Sequence, residues 1–253
     1  MVPDFFLLID LHQHQPRQGP GDDLQTKRAI DLAGLSTHEN LQIADIGCGT
    51  GASTLCLARD LDAHITAVDL FPEFLEVLEH RARTLTVNSR VKTCAASMQS
   101  LPFAPASLDV IWAEGAIYNM GFANGLRAWR SFLKPDGIIA VSEITWLTAN
   151  RPAELTRHWE HEYPEIDVAS AKFKVLETEG YSPLGYFVLP KTSWLDHYYR
   201  PLQASFNQFL DRQNQSTQAL DIVAAEKAEI ALYEKYSDYF SYGFYIARRS
   251  ETT

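Results

Sequence analysis

The sequence predicts an α/β fold built on a mostly parallel, doubly wound sheet. Three observations predict it. Five short apolar runs alternate with amphipathic helical stretches between residues 41 and 142. A glycine-rich turn, Gly47-Cys48-Gly49-Thr50-Gly51, follows the first of those runs, and an aspartate, Asp69, closes the second. Parallel strands need crossover connections, and a helix after each strand supplies them.

Taken in order, residues 1–40 read as helical arms around the loop Arg17-Gln18-Gly19-Pro20-Gly21, which glycine and proline punctuate. Leu41 to Ile46 is the first strand, and Leu55, Ala58 and Leu61 follow at helical spacing. His64 to Asp69 is the second strand; Phe71, Phe74, Leu75, Leu78 and Ala82 mark the next helix. Val91 to Ala95 and Leu108 to Ala113 are the third and fourth strands. Leu126, Trp129 and Leu133 share a helical face that ends at the turn Lys134-Pro135-Asp136-Gly137, and Ile138 to Ser142 is the fifth strand. Beyond Trp146 the rhythm breaks into a mostly helical region, with a short strand at Gly185 to Leu189 and a closing strand at Tyr242 to Ala247. No linker-like composition divides the chain. One domain over residues 1–253 is expected, with an N-terminal helical flap (1–40) and a helical insertion (about 146–238).

Composition narrows the function. At 253 residues, 46% hydrophobic and 21% charged, the chain has the size and make-up of a domain with a full core. A net charge of -10 offers no basic footprint for nucleic acid. The three cysteines, Cys48, Cys56 and Cys94, form no CxxC pair. The apolar run Phe5 to Leu11 is flanked by Asp4 and broken by Asp10, unlike a signal peptide, and no stretch has the length of a membrane span. A cytoplasmic monomer or homodimer that binds neither nucleic acid nor membrane is expected.

The turn Asp45-Ile46-Gly47-Cys48-Gly49-Thr50-Gly51 lets backbone approach a ligand closely, and Asp69 can accept hydrogen bonds from ribose hydroxyls. Gly47, Gly49 and Ala52 also fit the G-x-G-x-x-A pattern of dinucleotide sites, so an NAD-dependent oxidoreductase is one alternative. Three details favour S-adenosylmethionine. Gly51 is a further glycine that the dinucleotide pattern does not require. Asp45 precedes the turn, where its carboxylate suits an ammonium better than a pyrophosphate. Ser97-Met98-Gln99-Ser100-Leu101-Pro102-Phe103 leads into the fourth strand, which bears Asp109.

On these motifs, in this order, residues 40 to 145 resemble the class I S-adenosylmethionine-dependent methyltransferases. The turn Leu133-Lys134-Pro135-Asp136-Gly137 fits too, although the family usually shows a second glycine where Asp136 stands. A narrower resemblance spans nearly the whole chain. The stretches Arg17-Gln18-Gly19-Pro20-Gly21 and Ala113-Glu114-Gly115-Ala116-Ile117-Tyr118-Asn119 look like signatures of a bacterial group of uncharacterised small-molecule methyltransferases. So do Ser142-Glu143, Trp146, Arg151-Pro152-Ala153-Glu154, Trp194 and His197-Tyr198. The resemblance implies a Rossmann-like, mostly parallel seven-stranded sheet with one antiparallel strand, a helical insertion, and methyl transfer to a small molecule. It departs at Ser97, where many relatives carry an acid that contacts the adenine amino group. Met98 is then expected to pack on the adenine.

The expected cofactor-binding residues are Arg17, Gly19, Asp45, Gly47, Gly49, Gly51, Asp69, Ser97, Met98 and Glu114, with Arg17-to-Gly21 folding over the cofactor and Arg17 close to its carboxylate. Glu114, Tyr118 and His197 are the candidate catalytic groups. Tyr118, Trp146, Trp194, His197 and Tyr198 are candidate lining for the acceptor, together with Tyr199, although aromatics at such spacings also serve as core. Glu143 reads equally as a site residue or a structural one. His158 and His161 beside Glu162 lack the H-E-x-x-H arrangement and read as a solvated face; His12 and His14 suggest no metal either. Direct transfer asks the protein mainly to align a nucleophile, with a base only if the acceptor sheds a proton early. A cofactor-binding module without catalysis is the remaining alternative.

Overall fold

A computed structural model describes residues 5–250, so residues 1–4 of the expected flap and residues 251–253 lie outside it. In chain order the elements are α1 (Phe5–His12), α2 (Asp23–Ala33), β1 (Leu41–Ile46), α3 (Ala52–Asp60), β2 (Ala63–Asp69), α4 (Pro72–Thr84), β3 (Val91–Ala95), β4 (Leu108–Ala113), α5 (Phe122–Trp129) and β5 (Leu133–Trp146). Then follow α6 (Ala153–Glu162), β6 (Asp167–Val168), α7 (Ala169–Thr178), β7 (Tyr181–Val188), α8 (Lys191–Trp194), a π-helical turn (Leu195–Tyr199), α9 (Arg200–Arg212), α10 (Thr217–Tyr236) and β8 (Phe240–Arg249).

Seven strands form one sheet in the order β3-β2-β1-β4-β5-β8-β7, and the two-residue β6 pairs with the far end of β5. β1 to β5 are parallel, and β8 runs antiparallel to both of its neighbours. This is the expected Rossmann-like sheet with one reversed strand. β1 and β4 are covered on both faces, which is why they read as near-continuous apolar runs. β3 is an edge strand and is only partly covered. Side chains from α2, α3, α4, α9 and α10 pack one face, and α5 and α7 pack the other. No helix among the described residues is long and apolar enough to cross a membrane.

Two local expectations are corrected. Leu133 opens β5, paired with Leu108, instead of ending a helix; the helical turns stop at Phe132 because Pro135 cannot extend them. The Lys134–Gly137 turn lies inside β5, where Asp136 takes a left-handed conformation at φ 60°. That backbone favours glycine, and aspartate is among the few other residues that adopt it. In the region 146–238 the expected strand at Gly185 is β7, which starts earlier, at Tyr181, and the two-residue β6 is added.

Strand order reverses between β1 and β4. Beyond the carboxyl ends of these strands lies the crevice where open α/β sheets bind ligands.

Candidate active site

The turn between β1 and α3 is held in shape by backbone and burial together. The amides of Gly47 and Cys48 both donate to the Val68 carbonyl. Gly47 (φ 72°) and Gly51 (φ 86°) have left-handed backbones, and a Cβ would collide with Ala116 at the first and Leu78 at the second. Asp69 fixes the far side: Gly49 N donates to its Oδ2 at 2.8 Å, and Phe71 N to its Oδ1 at 3.0 Å. Burial pushes the Asp69 carboxyl above its ordinary value, and these amides oppose the rise. Met98 Cε comes within 3.7 Å of the Cβ position of Gly47, and Trp129 Nε1 anchors the Met98 carbonyl at 3.0 Å. Ser97 Oγ accepts from Gln99 N, which leaves that hydroxyl's proton free for another acceptor.

Asp45 lies fully buried at the end of β1. Its Oδ2 accepts the hydroxyls of Ser53 (2.8 Å) and Thr54 (2.6 Å), while its Oδ1 is buried with no partner. Burial is the larger influence and raises the carboxyl to about 7, against those two hydrogen bonds.

The flap closes on this loop. Gln18, between Arg17 and Gly19, accepts from Thr50 N (2.8 Å) and Thr50 Oγ1 (3.0 Å) and donates to the His12 carbonyl. Arg81 of α4 clamps both sides, donating to Thr50 Oγ1 at 2.6 Å and to the Gln15 carbonyl at 2.9 Å. Glu114 accepts three hydrogen bonds: from Arg17 Nη1 (2.9 Å), Thr26 Oγ1 (2.7 Å) and Trp112 Nε1 (3.0 Å). The Arg17 guanidinium is therefore committed to Glu114, and Glu114 ties the flap to the end of β4. Gly19 is clear of side chains, and Gly21 N donates to the Ser193 carbonyl.

Beyond Glu114 the chain turns at Gly115, whose backbone lies against the Tyr242 ring. Tyr118 follows in a short helical turn and is 39% exposed. Tyr198 and Tyr199 approach from the π-helical turn, their rings 5.0 Å apart. Trp194 sits one layer deeper, stacked on Tyr233 at 4.4 Å and 5.0 Å from Tyr242, with its Nε1 satisfied by Ser241 Oγ. Trp146 packs edge-on to Phe240 and beneath the Arg151 guanidinium. The two tryptophans expected to line the acceptor pocket are thus buried core residues, Trp194 backing Tyr242.

His197 is separated from this group. Successive residues of a helical turn point in different directions, so His197 lies exposed beside its half-buried neighbour Tyr198. It borders a different cleft, of about 450 Å³, between the flap and the outer faces of α3 and α4, with Arg17, Cys56 and Arg81. Glu143 is fully buried and takes the Lys172 ammonium at 2.8 Å and the Tyr163 hydroxyl at 2.6 Å. Its position is that of an internal ion pair.

Sequence reasoning did not single out Gln18, Thr26, Arg81 or Tyr242. Gln18 stands inside a motif that was noticed. The others carry no local signal, because their partners are remote in the chain.

A family profile for a methyltransferase domain matches residues 43–137. Malonyl-(acyl-carrier protein) O-methyltransferase of Dechloromonas aromatica is 35% identical over 123 residues, 48% of this chain and 44% of the relative. The chain thus spans less than half the length of that curated relative. An S-adenosylmethionine-dependent methyltransferase from Geobacter sulfurreducens, solved with S-adenosyl-L-homocysteine, superposes with a TM-score of 0.84. It covers 98% of this chain and 99% of that one at 17% identity. The (4+2)-cyclase SpnF superposes at 0.78, covering 98% and 93% at 22% identity. These solved neighbours establish the fold, which hosts more than one chemistry.

Proposed function

We infer that this chain, whose residues 43–137 carry a methyltransferase domain on a class I fold, is an S-adenosylmethionine-dependent methyltransferase acting on a small molecule. One observation carries the reading: two carboxylates flank the glycine turn, each with unfilled acceptor capacity. Asp69 receives only backbone amides, which leaves lone pairs for a ribose diol. Asp45 keeps a buried, orphaned Oδ1, which a ligand ammonium would satisfy. A pyrophosphate at this turn would face that acid instead, which counts against the NAD reading.

The residues present fit S-adenosylmethionine. Gly47, Gly49 and Gly51 keep the turn open to it, Asp69 holds the ribose, and Ser97 and Met98 flank the base. Asp45 answers the ammonium, and the flap with Arg17, Gln18 and Gly19 closes over the amino-acid end. When bound, the group supplies an electrophilic methyl on a sulfonium. The protein's work is then alignment and exclusion of water. Glu114, engaged by three donors, acts as a positioning residue that locks the flap to β4. Tyr118 keeps its phenol proton, because burial raises its pKa, and so can donate a hydrogen bond to the acceptor. His197 borders the other cleft, and we assign it no part in transfer.

Asp45 gives a pH test of the cofactor assignment. Its folded-state pKa lies near 7, above the ordinary 3.8, so the ligand-free protein loses stability as pH rises through this window. A bound ammonium favours the charged form, so binding tightens over the same window. Affinity for S-adenosylhomocysteine is expected to rise up to about eightfold between roughly pH 6 and 7.5, and Asp45→Asn should flatten the profile. A profile unchanged by that substitution would remove Asp45 from the site.

The function itself is tested by methyl-labelled donor with a panel of amines, alcohols, thiols and activated carbon acids. Labelled product and S-adenosylhomocysteine should form in equal amounts with at least one class. Tight cofactor binding with no transfer to any class would favour a binding module, or a cyclase chemistry such as that of SpnF.

A further inference from the structure

Resting on that transfer reading, we propose that the acceptor is a cationic amine, seated against Tyr118, Tyr198 and Tyr242 and paired with the Glu229 carboxylate. The groups come from four separate segments. Tyr242 reaches from β8 and lies against Gly115, where β4 ends; a Cβ at Gly115 would be 3.4 Å from its ring. Tyr118 stands just after that turn, Tyr198 on the π-helical turn, and Glu226 and Glu229 one turn apart on α10. The Tyr198 ring lies 5.0 Å from that of Tyr199, whose hydroxyl meets Glu229 at 2.9 Å, and Trp194 bridges Tyr199 (6.0 Å) and Tyr242 (5.0 Å).

Tyr118 and Glu229 both reach solvent, Tyr118 with 39% of its surface exposed.

Charge in this cluster is mainly negative. Glu229 accepts the Tyr199 hydroxyl at 2.9 Å, and Glu226 Oε1 lies 3.4 Å from His12 Nε2. Glu226 Oε2 is buried without a partner. Among the described residues no lysine or arginine pairs with either carboxylate, and the further acids acting here are Glu143, already paired with Lys172, and Glu162. The His12 ring stacks 6.5 Å from Tyr198 and meets Glu226 from the flap side. Electron-rich ring faces attract a cation, most strongly where water is thin, and carboxylates add to that attraction. The same groups repel an anionic acceptor.

The chemistry balances. The ammonium gives a proton to the Glu229 carboxylate, and the nitrogen lone pair then forms the bond to the methyl carbon. The methyl–sulfur bond breaks with its pair retained on sulfur. The sulfonium becomes a thioether, the product leaves as the methylated ammonium, and Glu229 returns its proton to solvent.

The test uses choline, a quaternary ammonium whose nitrogen cannot accept a methyl, and its uncharged tert-butyl isostere. Both are titrated calorimetrically into the protein saturated with S-adenosylhomocysteine. Choline should bind about tenfold more tightly than the isostere, and Glu229→Gln should erase most of that advantage. S-adenosylhomocysteine should bind wild type and variant alike. Because Glu229 is exposed, and glutamine can still accept from Tyr199, the variant should fold; its melting curve checks this. Equal binding of the two probes, or a choline affinity unchanged by Glu229→Gln, overturns the amine assignment. Failure of S-adenosylhomocysteine to bind would instead overturn the transfer reading beneath it.

Discussion

Asp69→Ala is expected to weaken S-adenosylhomocysteine binding by about 2 to 3 kcal/mol, roughly 30- to 150-fold. The magnitude is that of hydrogen bonds to a charged group, lost from a site where water cannot fully replace them. Asp69 acts twice. Its oxygens fix the Gly49 and Phe71 amides, and on the proposed reading its remaining lone pairs receive the ribose hydroxyls. It stands at a strand end, so the sheet should survive the substitution. Calorimetry on wild type and variant, with a melting curve for each, measures both effects. A folded variant with unchanged affinity would mean that the ribose binds elsewhere.

Lys172→Met should cost about 3 to 5 kcal/mol of folding stability, because it strands the Glu143 carboxylate at the centre of the protein. Glu143 is fully buried and Lys172 nearly so, 2.8 Å apart. Without the ammonium, Glu143 Oε1 keeps only the Tyr163 hydroxyl, and Oε2 already has no partner. The melting temperature should fall by the order of 10 °C. Removing both charges in Lys172→Met with Glu143→Leu should recover most of the loss, since an apolar pair of similar volume leaves no buried charge. Denaturant unfolding of the two variants decides this. A single variant costing under about 1 kcal/mol would show that Glu143 has another partner or is protonated in the native protein.

What the sequence disclosed follows from the range of the forces involved. β1, β3 and β4 were legible to the residue, because a strand covered on both faces, or bounded by turns, writes its limits in adjacent residues. The Gly47–Gly51 turn and Asp69 were legible for the same reason: strand end, turn and helix start are contiguous. Leu133 misled because it continues the spacing of Leu126 and Trp129, while Pro135, two residues later, dictates extended chain. The flap contacts were hidden by distance, since Thr26 and Glu114 meet across 88 residues. His197 and Tyr198 diverge because adjacent residues of a helical turn point in different directions, which their shared motif does not reveal. Glu226 and Glu229 on α10 meet His12 and Tyr199 from remote segments, so nothing local marks them.

The central claim is that the crevice at the ends of β1, β2 and β4 holds S-adenosylmethionine, and calorimetric titration of the wild-type protein tests it most directly. S-adenosylmethionine and S-adenosylhomocysteine should each bind at one site per chain and raise the melting temperature as concentration exceeds the dissociation constant. NAD should give neither heat nor stabilisation. Saturable NAD binding, with no response to either sulfur ligand, would contradict the account.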